Sequence, residues 1–555
     1  MPASGRFGPL IGAIDEGTSS ARFLVFAAST GEVLTYHQVE VLQQFPHEGW
    51  VEQDPLEILE AVTECVARSV ENLRQLDIDP ADIKAVGITN QRETTILWDP
   101  HTGKPLANAI VWLDVRTTDT VDQMLAKVKD RNLDYLKPLC GLPVSTYFSA
   151  LKVRWLMDNV PGVTAAMDEG RCLFGTVDSW LIWNFTGGKD GGLHITDVTN
   201  ASRTMLMNVK SLKWDPTLCR FFDIPMHVLP EIRSSSEIYG YITEGPLQGI
   251  PISGCLGDQQ SALVGQLCFK RGQAKTTYGT GGFMLYNTGT MAIQSNHGML
   301  TTVAYRLGKD APPVYALEGS IAICGAIMKW LRDNLGVLRD VTDSEKVVEE
   351  SSVKTDGKVY FVPAFSGLYA PYWRKDARSC IVGITDQTTS GDVVMAAMEA
   401  VCFQTRDIIE AMNTDCGVPL RQLLVDGGMT ANNSLMQLQA DLCGFEVVRP
   451  LMTETTALGA AMAAGSAEGI GVWDLSQVHS APADTFYPAI TEDERDIRYS
   501  RWKMAIKRSF GWVPDPSTEE TTERNKDLSI LSSVPVTVFM ISAFAVLLVA
   551  KKMMG

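Results

Sequence analysis

Two stretches of this chain, far apart, carry the same local pattern, and that repetition limits the folds available more than any other feature. The first runs LIGAID, EGTSS, ARFLVFA, STGE and VLTYHQVEV: β-branched and aromatic runs separated by Gly, Ser and Thr clusters, the pattern of an antiparallel three-stranded meander. The second, within 273–295, runs QAKTTYG, TGG, FMLYN, TGT and MAIQS. Two copies predict a duplicated unit. Helical periodicity follows at 321–335 and at 393–413, where Val394, Met398, Val401, Thr405, Ile408 and Met412 recur every three or four residues. The expected fold is α/β: two related lobes, each a mixed sheet covered by helices, meeting within 263–272 with the cleft between them as the default site. The length of 555 residues suits this, since one core rarely serves more than about 300 residues.

A net charge of −17 excludes nucleic acid as a partner, because phosphate backbones are held by clustered Lys and Arg. The 11 cysteines, an odd number without CxxC spacing, read as reduced, mostly buried thiols, and with seven histidines they form no zinc-ligand spacing. Residues 1–9 lack the apolar run of a secretory signal and make a poor transit peptide, so the bulk of the chain is expected to face the cytosol. The C-terminus differs. Segment 534–550, VPVTVFMISAFAVLLVA, carries no charge and precedes Lys551 and Lys552. As a helix it reaches about 26 Å, just short of a bilayer core of roughly 30 Å. It follows the polar, proline-bearing PDPSTEETTERNKD, a linker composition. The expected organisation is an N-terminal lobe over 1–265, a C-terminal lobe over 266–512, a polar linker over 513–533 and a transmembrane anchor over 534–550.

Three Gly-rich turns stand at predicted strand ends. Asp15, Gly17, Thr18, Ser19 and Ser20 offer backbone N–H groups, hydroxyls and a hard oxygen ligand suited to Mg²⁺, although an ordinary hairpin turn has the same composition. The second is Tyr278-Gly279-Thr280-Gly281-Gly282, and the third, Asp426-Gly427-Gly428-Met429-Thr430 with Asn432 beyond it, lets backbone approach a flat ring closely. Together they point to a nucleotide.

The segments GAIDEGTSSAR, GITNQRETTILW, FGTVDSWLIW, TDVTNASRTML, GDQQSALVGQ, YGTGGF, LEGSIAICGA, AFSGLYAPYW and VDGGMTANN, in this order, resemble the glycerol kinases, a branch of the carbohydrate kinase family with the actin-like ATPase (ribonuclease H-like) fold. The resemblance covers 10–512. It implies transfer of the ATP γ-phosphoryl to glycerol with Mg²⁺, Arg92 and Glu93 gripping hydroxyls, Tyr147 hydrogen-bonding the substrate, and Trp112 and Phe283 walling its carbon backbone. It implies Asp258 as general base beside Gln259, and Asp15 at the metal. Thr18, Ser19, Ser20 and Arg22 match the first phosphate loop, Thr280 and Gly281 the second, and Gly325, Gly427, Gly428 and Asn432 complete the ATP site. Homo-oligomers are expected on the same ground, and the tail resembles a tail anchor suited to the mitochondrial outer membrane.

The chain departs from this pattern at Glu16, where glycerol kinases have Gln; an outward side chain is expected there, leaving activity intact. Lys329 and Ser379 also differ, and TEGPLQGIPI lacks the arginine through which bacterial relatives bind fructose bisphosphate. Competing readings are a pentose kinase, against which NQRET and Tyr147 argue, and a membrane-tethered scaffold disabled by Glu16.

Overall fold

The alternating apolar strands assemble as their periodicity requires, one face to each layer of helices. The computed structural model describes residues 5–513 apart from 322, 351–357, 366 and 477–481. In the first sheet, β1 (Leu10–Glu16), β2 (Ser20–Ala27) and β3 (Val33–Glu40) form the expected antiparallel meander. Then β1 pairs in parallel with β4 (Ile83–Asn90), β4 in parallel with β6 (Pro251–Gly257), and β6 antiparallel with β5 (Ser236–Tyr241). One face packs on α1 (Pro55–Gln75) and α2 (Val177–Phe185); α3 (Asp258–Gly265) follows β6 directly.

The second sheet repeats this frame. Here β7 (Ala274–Tyr278) and β8 (Gly282–Gly289) form a hairpin, and β7 pairs in parallel with β11 (Gln422–Asp426), which pairs in parallel with β12 (Glu446–Pro450), closed by antiparallel β13 (Ala483–Phe486). The third meander strand is not at 291–295. It is β10 (Val314–Ile321), which pairs with β8 and is reached through an added edge strand, β9 (Leu300–Tyr305). The carbonyls of Met291, Ile293 and Ser295 accept from the side chains of Thr288, Thr301 and Lys137, so their alternation cannot enter a ladder.

Helix α4 (Gly325–Asp333) is shorter than its periodicity suggested because β10 holds the chain through Ile321. Helix α5 (Ser390–Cys416) is longer, extended by a Thr389/Asp392 capping box and ended at Gly417 in the left-handed region. With α6 (Asn433–Cys443) and α8 (Glu492–Arg508) it builds the second core.

The two halves interlock. Helix α7 (Thr455–Ser466), TTALGAAMAAGS, lies on the face of the first sheet opposite α1 and packs along α3. Its small residues let backbones nearly touch: a Cβ on Gly87 would stand 2.2 Å from the Ala460 carbonyl oxygen, and one on Gly459 would stand 1.8 Å from that of Ser261. Ile11, Ala13, Leu24 and Phe26 of the first sheet thus share a core with Ala457–Ala464 and with Leu285 and Ala316 of the second. The 11 cysteines are free thiols, mostly buried. Among the described residues no helix is long and apolar enough to cross a membrane; segment 534–550 and all but the first residue of its linker lie outside them.

Candidate active site

Each Gly-rich turn ends a strand. Between β1 and β2 the Gly17 N–H donates to the Ser20 carbonyl at 2.9 Å, while the Thr18 carbonyl accepts from Gln53 and its hydroxyl from the Trp112 indole at 2.9 Å. Ser19 is exposed at the tip. Between β7 and β8, Gly279 bonds Gly281, and the Thr280 carbonyl accepts from Cys324 and Ala326 at the start of α4. After β11, Gly427 takes φ +92°, and Asn432 caps α6 through Leu435 while reaching Ser344 at 3.1 Å. A cleft of about 390 Å³ joins the last two turns, lined by Thr280, Gly325, Lys329, Gly428, Met429 and Asn432 among others. Every nucleotide candidate outside the first loop is thereby in, or next to, one cleft.

The substrate candidates also converge. The NQRET segment leaves β4 with Glu93 at φ +58°, a strained conformation held by burial on all sides. Arg92, nearly inaccessible, makes a bidentate pair with Glu318 (2.7 and 2.8 Å) and stands 3.3 Å from Asp258. Trp112 meets Tyr147 and Phe283 edge-on, each at 5.7 Å between ring centroids, and Phe283 lies beneath Arg92. Asp258 opens α3 without capping it; the cap position is Gly257, and the Asp258 side chain is about 30% exposed toward the cleft. The result is a three-sided aromatic wall with one guanidinium and one carboxylate at its mouth.

Sequence reasoning missed the layer beneath. Arg203 donates to Glu93 at 2.6 Å and to Glu318 at 3.2 Å, and its guanidinium lies over Tyr147 and Phe148. Burial raises the Glu318 carboxyl, but Arg203 and Arg92 together hold it down at about 2. SRTML and LEGS carry the resemblance, yet only the fold brings Arg203 of one half against Glu318 of the other. Glu454 was missed as well: Arg22 bonds both Asp15 and Glu454 at 2.6 Å.

Burial pushes Asp15 up to about 6; Arg22 opposes this, while the charges of Glu454 and Asp258 add to it. Asp15 and Glu454 share the single guanidinium of Arg22, which leaves a local surplus of negative oxygen that fits a hard divalent cation. Glu16 does not face outward as expected. It is fully buried, accepting from Gln91 at 3.0 Å, with its other oxygen unpartnered. Burial lifts its carboxyl to about 8 against the Gln91 bond, with the charge of Asp15 contributing, so at neutral pH it is a neutral group of glutamine's shape.

Comparison with known proteins bears on this geometry. Models of the N-terminal and C-terminal domains of the FGGY family of carbohydrate kinases match residues 10–265 and 274–468. The chain belongs to this family. A probable glycerol kinase of Dictyostelium discoideum is 48% identical, and a glycerol kinase of Brucella anthropi 50%, each match spanning 91% of this chain and 99% of the relative. Among solved structures, Plasmodium falciparum glycerol kinase with ADP superposes with a TM-score of 0.83 at 38% identity over 90% of this chain and 98% of that one. A xylulose kinase from Brucella ovis, at 20% identity and a TM-score of 0.77, shares the fold.

Proposed function

We propose that this chain is an ATP-dependent glycerol kinase, transferring the γ-phosphoryl of ATP to a terminal hydroxyl of glycerol to give glycerol 3-phosphate and ADP. The observation that supports this reading most is that Asp258 stands 3.3 Å from Arg92, whose guanidinium lies over Phe283 of the aromatic wall. Its relatives' names agree. Arg92 and Glu93, each already paired within the protein, present donors and an acceptor that match adjacent hydroxyls, and a substrate lacking one would lose a hydrogen bond to a charged group. Trp112, Tyr147 and Phe283 enclose the carbon backbone. Asp258 accepts the hydroxyl proton as the oxygen–phosphorus bond forms and the bond to the bridging oxygen of ADP breaks.

The three Gly-rich turns hold the triphosphate and ring, with Arg22 poised between Asp15 and Glu454 to meet phosphate oxygens. Mg²⁺, held through Asp15, would neutralise phosphate charge. Acceptor-dependent ADP release, with glycerol, dihydroxyacetone and pentoses compared, tests the reading. Glycerol-specific turnover abolished in Asp258→Asn is expected; turnover of a pentose alone would overturn the substrate, and an active Asp258→Asn the base.

The charge-free segment 534–550 with Lys551 and Lys552 supports a C-terminal anchor in the mitochondrial outer membrane, with the catalytic part in the cytosol. Tagged chains with and without 528–555 test this; a diffuse signal from both forms refutes it. Homo-oligomerisation is read from the family alone and is tested by light scattering of the tail-deleted chain.

A further inference from the structure

Lys275 lies on β7, three residues before the second phosphate loop, and is completely buried. Its ammonium donates to Gln259 Oε1 at 2.5 Å and to Thr277 Oγ1 at 2.7 Å, both neutral acceptors. Among the described residues, no carboxylate stands within 4.0 Å of it. The carboxylates that act on it from farther away are Asp426, with one oxygen held by Gln266 and Thr455, Asp258 beside Arg92, and Glu318, held by Arg92 and Arg203. A buried ammonium held only by neutral acceptors is destabilising, and burial accordingly pulls its pKa below the usual lysine value. Chains keep such groups where function returns what stability loses.

The geometry shows what this one does. An ammonium has donors only, so it fixes which end of the Gln259 amide faces it. With Oε1 turned to Lys275, the Gln259 NH₂ is directed at Asp258 Oδ2, 3.4 Å away, and the Gln259 backbone N–H donates to Asp258 Oδ1 at 2.7 Å. Among the described residues, the third proton of Lys275 has no acceptor. We propose that Lys275 is a positioning residue for phosphoryl transfer: acting through Gln259, it sets the orientation of Asp258. This rests on the reading of Asp258 as the base.

Lys275→Met keeps the length of the side chain and removes the charge and the donors. Its kcat for glycerol phosphorylation is expected to fall at least tenfold with the glycerol KM changed less than threefold, while the Tm of the ligand-free protein stays level or rises. Because the effect runs through Gln259, the loss in Lys275→Met/Gln259→Ala should not exceed that of the more damaging single variant. A kcat within threefold of wild type, losses that multiply in the double variant, or a lowered Tm accompanying lost activity would each overturn the proposal. Asp258→Asn measured alongside separates the two readings: if it is inactive while Lys275→Met matches wild type, only the lysine's role falls, and if it is active, both fall.

Discussion

Glu16→Gln should stabilise the protein by an amount that grows with pH. In the unfolded chain this carboxyl ionises near its ordinary value of 4.5, whereas in the fold it keeps its proton up to about 8. Below pH 4 both states hold the proton and the variant gains nothing. Between these limits the unfolded state releases a proton that the native state retains, so wild-type stability declines as pH rises. At about 1.4 kcal/mol per pH unit, the wild-type handicap is about 3 kcal/mol at pH 7 and levels at about 5 kcal/mol above pH 8. Glutamine has no such handicap. Its oxygen still accepts from Gln91, and its NH₂ occupies the place of the unpartnered carboxyl oxygen. Thermal unfolding of both proteins at pH 5, 7 and 8.5 reads the effect, about 2 °C per kcal/mol for lobes of this size. Wild-type activity should also decline above pH 8, where a second negative charge forms beside Asp15, and the variant should hold its activity there. An offset in Tm that is constant across pH, or a variant weaker than wild type at pH 8.5, would refute the reasoning.

Arg203→Met removes, among the described residues, the only cation bonded to Glu93 and one of two on Glu318, and should cost about 3–5 kcal/mol of stability while raising the glycerol KM; denaturant unfolding and initial rates check both. Gly459→Ala forces a methyl into the Ser261 carbonyl and should destabilise by about 3 kcal/mol or more, seen as a lower Tm with the kcat of the surviving enzyme little changed. Asp15, raised to about 6, binds a proton in competition with the cation, so the half-saturating Mg²⁺ concentration should rise about tenfold per pH unit below 6. A Mg²⁺ requirement flat between pH 5 and 7 would remove Asp15 from the metal site.

The meander and its repeat were legible because a strand's period of two and the Gly-rich turns are local properties of the chain. The third strand of the second meander was misread for the opposite reason: Met291 to Ser295 alternate like a strand, and side chains distant in sequence decide otherwise by claiming their carbonyls. The aromatic wall and the phosphate turns were recognisable by motif. Arg203, Glu318, Glu454 and Lys275 were not, because each acquires its meaning from a partner more than ten residues away or on the other half of the molecule. Glu16 shows the same limit on one side chain. Its identity suggests a charge near phosphate, and only its burial reveals a neutral group.

The placement of α7 also has a consequence for synthesis. The first sheet is complete in sequence at Gly257, yet the helix that covers the face bearing Ile11, Ala13, Leu24 and Phe26 starts only at Thr455. At a translation rate of about 5–20 residues per second, that face stays bare for roughly 10–40 s on every ribosome. The N-terminal half therefore emerges as a half-covered sheet rather than a finished domain, and the yield of folded protein depends on what shields that surface until the chain returns to it.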